Sequence, residues 1–272
     1  SKEFIKGLHD YGMLATAKHF PGHGDTETDS HSALAQIPSD SARLWSTELP
    51  PFRNAIQSGV DAIMVAHVNA PDYQKNADEP ATLSSFWIQD ILKRKLGFNG
   101  VIITDAMGMG GIIKNYSDAY ALIATINAGA DIVQIFDSWA GFLSPKDLPR
   151  FCYTPNLKIV EFCKKKKIPV ICFPRGIKEN YKEFNNVVKP NGLNIDYHID
   201  PKWAEINLKD TVIQGGLNPN ALLLPEQDMI KNAKKYLDAF DGLPYIFNLG
   251  HGMLPETSPD KVDKLIKFYR EY

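Results

Sequence analysis

Eight short apolar runs rich in β-formers recur along the chain: LATAKHF, DAIMVAHV, GVIITDA, ADIVQIF, PVICF, LNIDY, TVIQG and YIFNLG. Runs of this length and composition read as strands. Amphipathic stretches with helix punctuation lie between them. In SSFWIQDILKRKLG, Ser84 is placed to cap and Gly97 to stop a helix; SDAYALIATINAG runs from Ser117 to Gly129. In DPKWAEINL, Asp200 can cap and Pro201 suits the first turn, and SPDKVDKLIKFYREY repeats the device with Ser258 and Pro259. Strands alternating with helices imply parallel βα units, and eight of them in 272 residues match a closed eight-stranded parallel (β/α) barrel, a TIM barrel. A doubly wound open sheet is the alternative.

No Gly/Ser tract, low-complexity segment or Pro-rich spacer interrupts the alternation near residue 130. Two separate half-domains would leave sheet edges exposed. The expectation is therefore one domain over residues 1–272 assembled from two half-barrels, 1–131 and 132–272. A strand around Leu14–Lys18 would pair with the last strand around Tyr245–Asn248. Side chains at the C-terminal ends of strands line the working face of such barrels. His19, His67, Asp105, Ser138, Asp196 and His251 all follow strand runs.

Charge changes the picture at one place. The net charge of −2 gives no reason to expect nucleic acid or a membrane surface. Residues 1–133 nevertheless hold 10 basic and 15 acidic side chains against 20 and 17 in the remainder, which supports two origins. The basic run Lys164–Lys167 reads as a solvated helix end. Cys152, Cys163 and Cys172 show no CxxC spacing, so reduced buried thiols are expected, with neither a disulfide framework nor a zinc site; separately, no metal and no cofactor are expected. The opening SKEFIKGLHDYG lacks the apolar core of a secretory signal, and no run is long enough to span a bilayer; a cytoplasmic protein with a small-molecule substrate is expected.

The first chemical constellation is KHFPGHGDTETDSH, where Lys18, His19, His23, Asp25, Asp29 and His31 fall within fourteen positions on a turn-rich segment. A solvated loop would explain the acids but not the adjacent strand-end groups and the DSH step. Metal binding is disfavoured because no helical HxxxH-type spacing appears. Asp105, at the end of the strand VIIT, could be an attacking carboxylate or a cap for the next segment of chain. Asp29 and His31 can form a carboxylate-oriented imidazole acid/base pair. His67 either faces the cleft or is a satisfied core histidine. The glycine run Gly108–Gly111 lacks the Lys-Ser/Thr ending of a phosphate loop.

This stretch resembles family 3 glycoside hydrolases of the bacterial β-N-acetylglucosaminidase type, and the likeness continues for about 130 residues through AHVNAPDY, ATLSSFWIQDILKRKLGFNG and VIITDAMGM to INAGAD. The resemblance implies that Lys18 and His19 hold the sugar, that Asp29 and His31 are the acid/base dyad, and that Asp105 is the nucleophile of a retaining β-glycosidase. His67 is a further expected substrate contact.

From Ile132 onward the likeness changes. QIFDSWAGFLSPKDL, PVICF, VIQGGLNPNALL and IFNLGHGMLPETSP resemble uroporphyrinogen decarboxylase, a cofactor-free barrel enzyme acting on a tetrapyrrole. By that resemblance Ser138 and His251 would touch substrate carboxylates. Alternatively, Ser138 hydrogen-bonds its own turn and the shape of the GHG loop explains His251. That family's arginine pair and pyrrole-binding aspartate belong to its N-terminal half, and nothing before Ile132 resembles it. Three readings stay open: a retaining β-glycosidase of impaired efficiency, a uroporphyrinogen decarboxylase, and a non-catalytic fusion of two half-barrels.

Overall fold

The structure is a computed structural model that describes residues 2–10, 14–107 and 109–272. The chain divides into two compact units, Ser1–Asp131 and Ile132–Tyr272.

In the first unit, β1 (Thr16–Phe20), β3 (Ala62–Val65) and β5 (Val101–Thr104) form a parallel three-stranded sheet in the order β1-β3-β5. A short parallel ladder joins β2 (Ala35–Gln36) to β4 (Val68–Asn69). The register of β1 on β3 slips between Ala17 and Phe20, where the Lys18–His19 and Phe20–Pro21 peptide bonds are cis. Helices Pro50–Gln57 and Phe86–Lys95 supply the apolar faces, so that Phe20, Phe52, Ile63, Val65, Trp87 and Ile91 share one core. Phe20 meets the rings of Phe52 and Trp87 edge-on, at 5.2 and 6.0 Å. Burying such a ring is worth about 1.5–3 kcal/mol.

In the second unit, β6 (Val133–Asp137), β7 (Val170–Pro174), β8 (Gly192–Ile195), β9 (Val212–Gly215) and β10 (Tyr245–Ile246) form a parallel sheet in the order β10-β9-β8-β7-β6. Every residue of β7 and β8 is buried, as for central strands covered on both faces. Helices Thr154–Lys165, Tyr181–Val188 and Glu226–Ala239 alternate with the strands.

All eight expected strands are present, and the parallel α/β organisation holds. Closure into one barrel is not seen among the described residues. Each sheet ends on its own edge strands, β1 and β5 in the first and β10 and β6 in the second. Within its own sheet β1 is irregular, and β10 is two residues long. Ser84 stands at its helix start as expected: buried and extended, it accepts from the Ile88 amide through its carbonyl at 3.1 Å, and the helix then runs from Phe86 in wide π-type turns, with the Leu96 amide donating to the Ile91 carbonyl at 2.9 Å. Ser117, Asp200 and Ser258 cap theirs. The three cysteines are free and buried, with burial pushing each thiol pKa up. Among the described residues no helix is long and apolar enough to cross a membrane, and no group of three His, Cys, Asp or Glu side chains is placed to hold a metal ion.

Candidate functional site

In the first unit the chain leaves β5 directly into Asp105, whose amide donates to the Val65 carbonyl at 2.9 Å and fixes the backbone. Asp105 Oδ1 accepts from the Ala106 amide at 2.8 Å, while the helix that follows, Gly110–Ile113, has Met109 at its N-cap, so the cap expected as an alternative is not made there. Its other oxygen faces His19 Nε2 at 3.7 Å, too long for a hydrogen bond, and remains open to a third group. His19 sits in β1, half-buried, beside the exposed Lys18. Burial, with help from Lys18, lowers the His19 pKa against the opposing pull of Asp105.

Asp29 and His31 meet as expected. The His31 backbone amide and ring Nδ1 both donate to Asp29 Oδ1, at 2.9 and 2.8 Å. These bonds, the backbone one foremost, hold the Asp29 carboxyl below the usual carboxylate range. Because a carboxylate only accepts, the proton on Nδ1 is fixed, and Nε2 is the ring nitrogen that Asp29 does not engage. Both side chains are exposed, at 68% and 74%.

The dyad loop is tied to the segment after Asp105. Gly110 donates its amide to the His31 carbonyl at 2.9 Å, and Gly111 donates to the Ser30 carbonyl at 3.1 Å. A Cβ on Gly110 would come within 2.7 Å of the His31 carbonyl oxygen, so only glycine permits this approach. The glycine run set aside as a phosphate loop thus binds the protein's own backbone; Gly108 itself lies outside the described residues.

Of the two readings for His67, the structure matches the satisfied core histidine. It has no exposed surface, and both ring nitrogens are engaged. Nε2–H donates to the Ala106 carbonyl at 2.9 Å, leaving Nδ1 to accept from the Thr82 hydroxyl, also at 2.9 Å. Burial lowers its pKa. The ring is engaged within the protein on both sides and anchors the residue next to Asp105.

In the second unit Ser138 lies half-buried in the turn after β6, and His251 is exposed in the loop after β10, at opposite edges of the sheet. His251 lines a cavity of about 360 Å³ with Leu222, Phe247, Asn248, Met253 and Leu265. Backbone shape constrains its loop as well. The Gly250 amide donates to the Leu217 carbonyl at 2.7 Å, and a Cβ there would stand 2.5 Å from the Tyr197 nitrogen. Sequence reasoning gave no partner to Asp196, the residue after β8. It is buried, with Oδ2 accepting from the Gly176 amide at 2.7 Å and the Tyr181 hydroxyl at 3.0 Å, and Oδ1 accepting from the His198 amide at 2.9 Å.

The family described as Glycosyl hydrolase family 3 N terminal domain matches residues 1–139, and the family described as Uroporphyrinogen decarboxylase (URO-D) matches residues 113–272; each match takes in more than half of the chain. The chain belongs to both families. The glycoside hydrolase family 3 match contains Lys18, His19, Asp29, His31, His67 and Asp105, the URO-D match contains His251, and Ser138 falls in the overlap.

Curated relatives divide the same way. The chain is similar to a uroporphyrinogen decarboxylase of a Wolbachia strain from Drosophila simulans, 38% identical over 56% of this chain and 45% of that protein. It is similar to a beta-hexosaminidase of Tolumonas auensis, 42% identical over 53% of this chain and 42% of that protein. Among solved structures, a glycoside hydrolase family 3 beta-N-acetylglucosaminidase from Paenibacillus sp. is 47% identical with a TM-score of 0.46, covering 48% of this chain and 24% of that one. The chain spans about half the length of the curated relatives it matches.

Proposed function

We propose that the first unit carries the reacting centre of a retaining β-glycoside hydrolase acting on β-N-acetylglucosaminides. The observation that carries this reading is the Asp29–His31 pair, bound through its backbone to the segment after Asp105. Cleavage with retention needs a carboxylate to attack the anomeric carbon and an acid to protonate the departing oxygen. In this reading an Asp105 oxygen bonds to the anomeric carbon as the glycosidic bond breaks, and its electron pair leaves with the departing oxygen. That oxygen takes the proton of His31 Nε2, while Asp29 stabilises the imidazolium. Water then attacks the glycosyl-aspartate, giving its proton back to Nε2 and releasing the Asp105 carboxylate. Lys18 and His19 hold the sugar beside Asp105.

An activated aryl β-N-acetylglucosaminide, whose departing oxygen needs no proton, is cleaved most readily, and an activated fluorosugar labels Asp105. Mass spectrometry that finds the label on another residue rejects the assignment.

Membership of the URO-D family and the cavity beside His251 favour a second reading, decarboxylation of a tetrapyrrole touched by Ser138 and His251. Carbon dioxide release from uroporphyrinogen that disappears in His251→Ala would establish it. Failure of both assays leaves the non-catalytic fusion.

A further inference from the structure

We propose that His23 is a positioning residue for the acid/base pair, clamping the Asp29–His31 loop closed through Ser30; the inference rests on the glycosidase reading of that loop. His23 Nδ1 lies 2.6 Å from Thr26 Oγ1, and Nε2 lies 2.9 Å from Ser30 Oγ. The Thr26 hydroxyl gives its only proton to the His23 carbonyl, at 3.1 Å, so its oxygen accepts from Nδ1–H. In the neutral ring Nε2 then accepts from the Ser30 hydroxyl. Both nitrogens are engaged within the loop, so His23 acts through other residues and not on a sugar directly.

The bond to Thr26 alone would fix a surface turn. The bond to Ser30 does more, because it reaches seven residues along the chain to a buried side chain flanked by Asp29 and His31. Ser30 and His31 are also the two residues whose carbonyls accept from Gly111 and Gly110. His23 thus holds the loop from its own start, and the glycines hold it from the segment beyond Asp105. Between the two braces, the Asp29 carbonyl accepts from the Ser32 and Ala33 amides at 2.9 and 3.1 Å, giving the loop its curl. Releasing one brace lets His31 drift, and a displacement of about 1 Å costs roughly 10²-fold in a proton transfer.

The test uses the full chain with His23→Ala, His23→Gln, Ser30→Ala and the His23→Ala/Ser30→Ala double variant. Two readouts are taken: hydrogen exchange of the amides of residues 29–33, and turnover of a β-linked N-acetylglucosamine disaccharide against its 4-nitrophenyl glycoside. Both single alanine variants are expected to raise exchange in the loop and lower disaccharide turnover about 10²-fold, with the 4-nitrophenyl substrate and KM little changed. The double variant should be no worse than either single one, and His23→Gln should restore part of the loss by keeping a group for Ser30. Unchanged exchange in His23→Ala, or equal losses on both substrates with a lowered melting temperature, overturns the clamp. If His23→Ala does not fold, His23→Gln and Ser30→Ala decide the matter by the same criteria. Absence of glycosidase activity in the parent chain defeats the glycosidase reading, while exchange still judges the clamp. Loss of activity in Asp105→Ala and His31→Ala with a silent His23→Ala defeats the clamp alone.

Discussion

Asp105 and Asp196 occupy equivalent places in their own units, each the first residue after a parallel strand, yet their surroundings differ in kind. Asp196 is buried, and three donors converge on its two oxygens. Asp105 is partly exposed; one oxygen is held by the next amide and the other faces a histidine too distant to bond. A carboxylate whose acceptors are all satisfied stabilises a fold, whereas one with an oxygen held open can meet a substrate. Position at a strand end is common to both and does not separate them; the count of satisfied lone pairs does.

The largest effect that sharpens this contrast is on chemistry. Asp105→Ala is expected to lower glycoside turnover at least about 10³-fold with an unchanged melting profile, whereas a large loss of stability would place Asp105 with Asp196. His31→Ala should lower disaccharide turnover about 10²–10⁴-fold and the 4-nitrophenyl glycoside far less, since only the former needs its departing oxygen protonated. Equal losses would remove His31 from the acid role.

Stability effects come next. Asp196→Ala strands the Gly176 amide, the Tyr181 hydroxyl and the His198 amide and should cost about 3 kcal/mol, read as faster hydrogen exchange in β7 and β8. Tyr181→Phe removes one of those donors and should cost about 1–2 kcal/mol. No loss in either variant would mean that the carboxylate is not a structural knot.

The smallest effect is a pH dependence. Burial holds His67 below the ordinary histidine value of 6.5, so the unfolded ring takes up a proton at a higher pH than the folded one. Its contribution to stability is complete above that value and is lost as pH falls through the window below it. His19, lowered for the same main reason, acts with the same sign. The urea midpoint of the first unit should therefore fall as the solution is acidified below neutrality, and His67→Gln should flatten that slope.

Local rules were legible wherever sequence and structure share a short range. The eight strands, the caps at Ser117, Asp200 and Ser258, and the left-handed Gly129 that ends its helix accord with composition and spacing. The Asp29–His31 pair was legible for the same reason, since two residues set its geometry. His67 was not, because its partners Thr82 and Ala106 lie 15 and 39 residues away and decide whether the ring faces solvent or core. Asp196 with Tyr181, and the Gln214 amide donating to Asn194 Oδ1 at 2.8 Å, are likewise contacts across elements that no periodicity announces. Barrel closure was inferred from strand number, but number does not fix which edges pair; ladder length and register do.

The point where the two families meet has a practical meaning for anyone who would take the protein apart. Gly129 and Ala130 turn their amides back to Ile126 and Thr125, and the amide of Val133 is already committed to Pro169. Asp131 and Ile132, both exposed, stand between these two sets of bonds. A protease site written into this dipeptide would cut the backbone between two completed hydrogen-bond patterns, and two genes divided there would each encode a whole sheet with its helices.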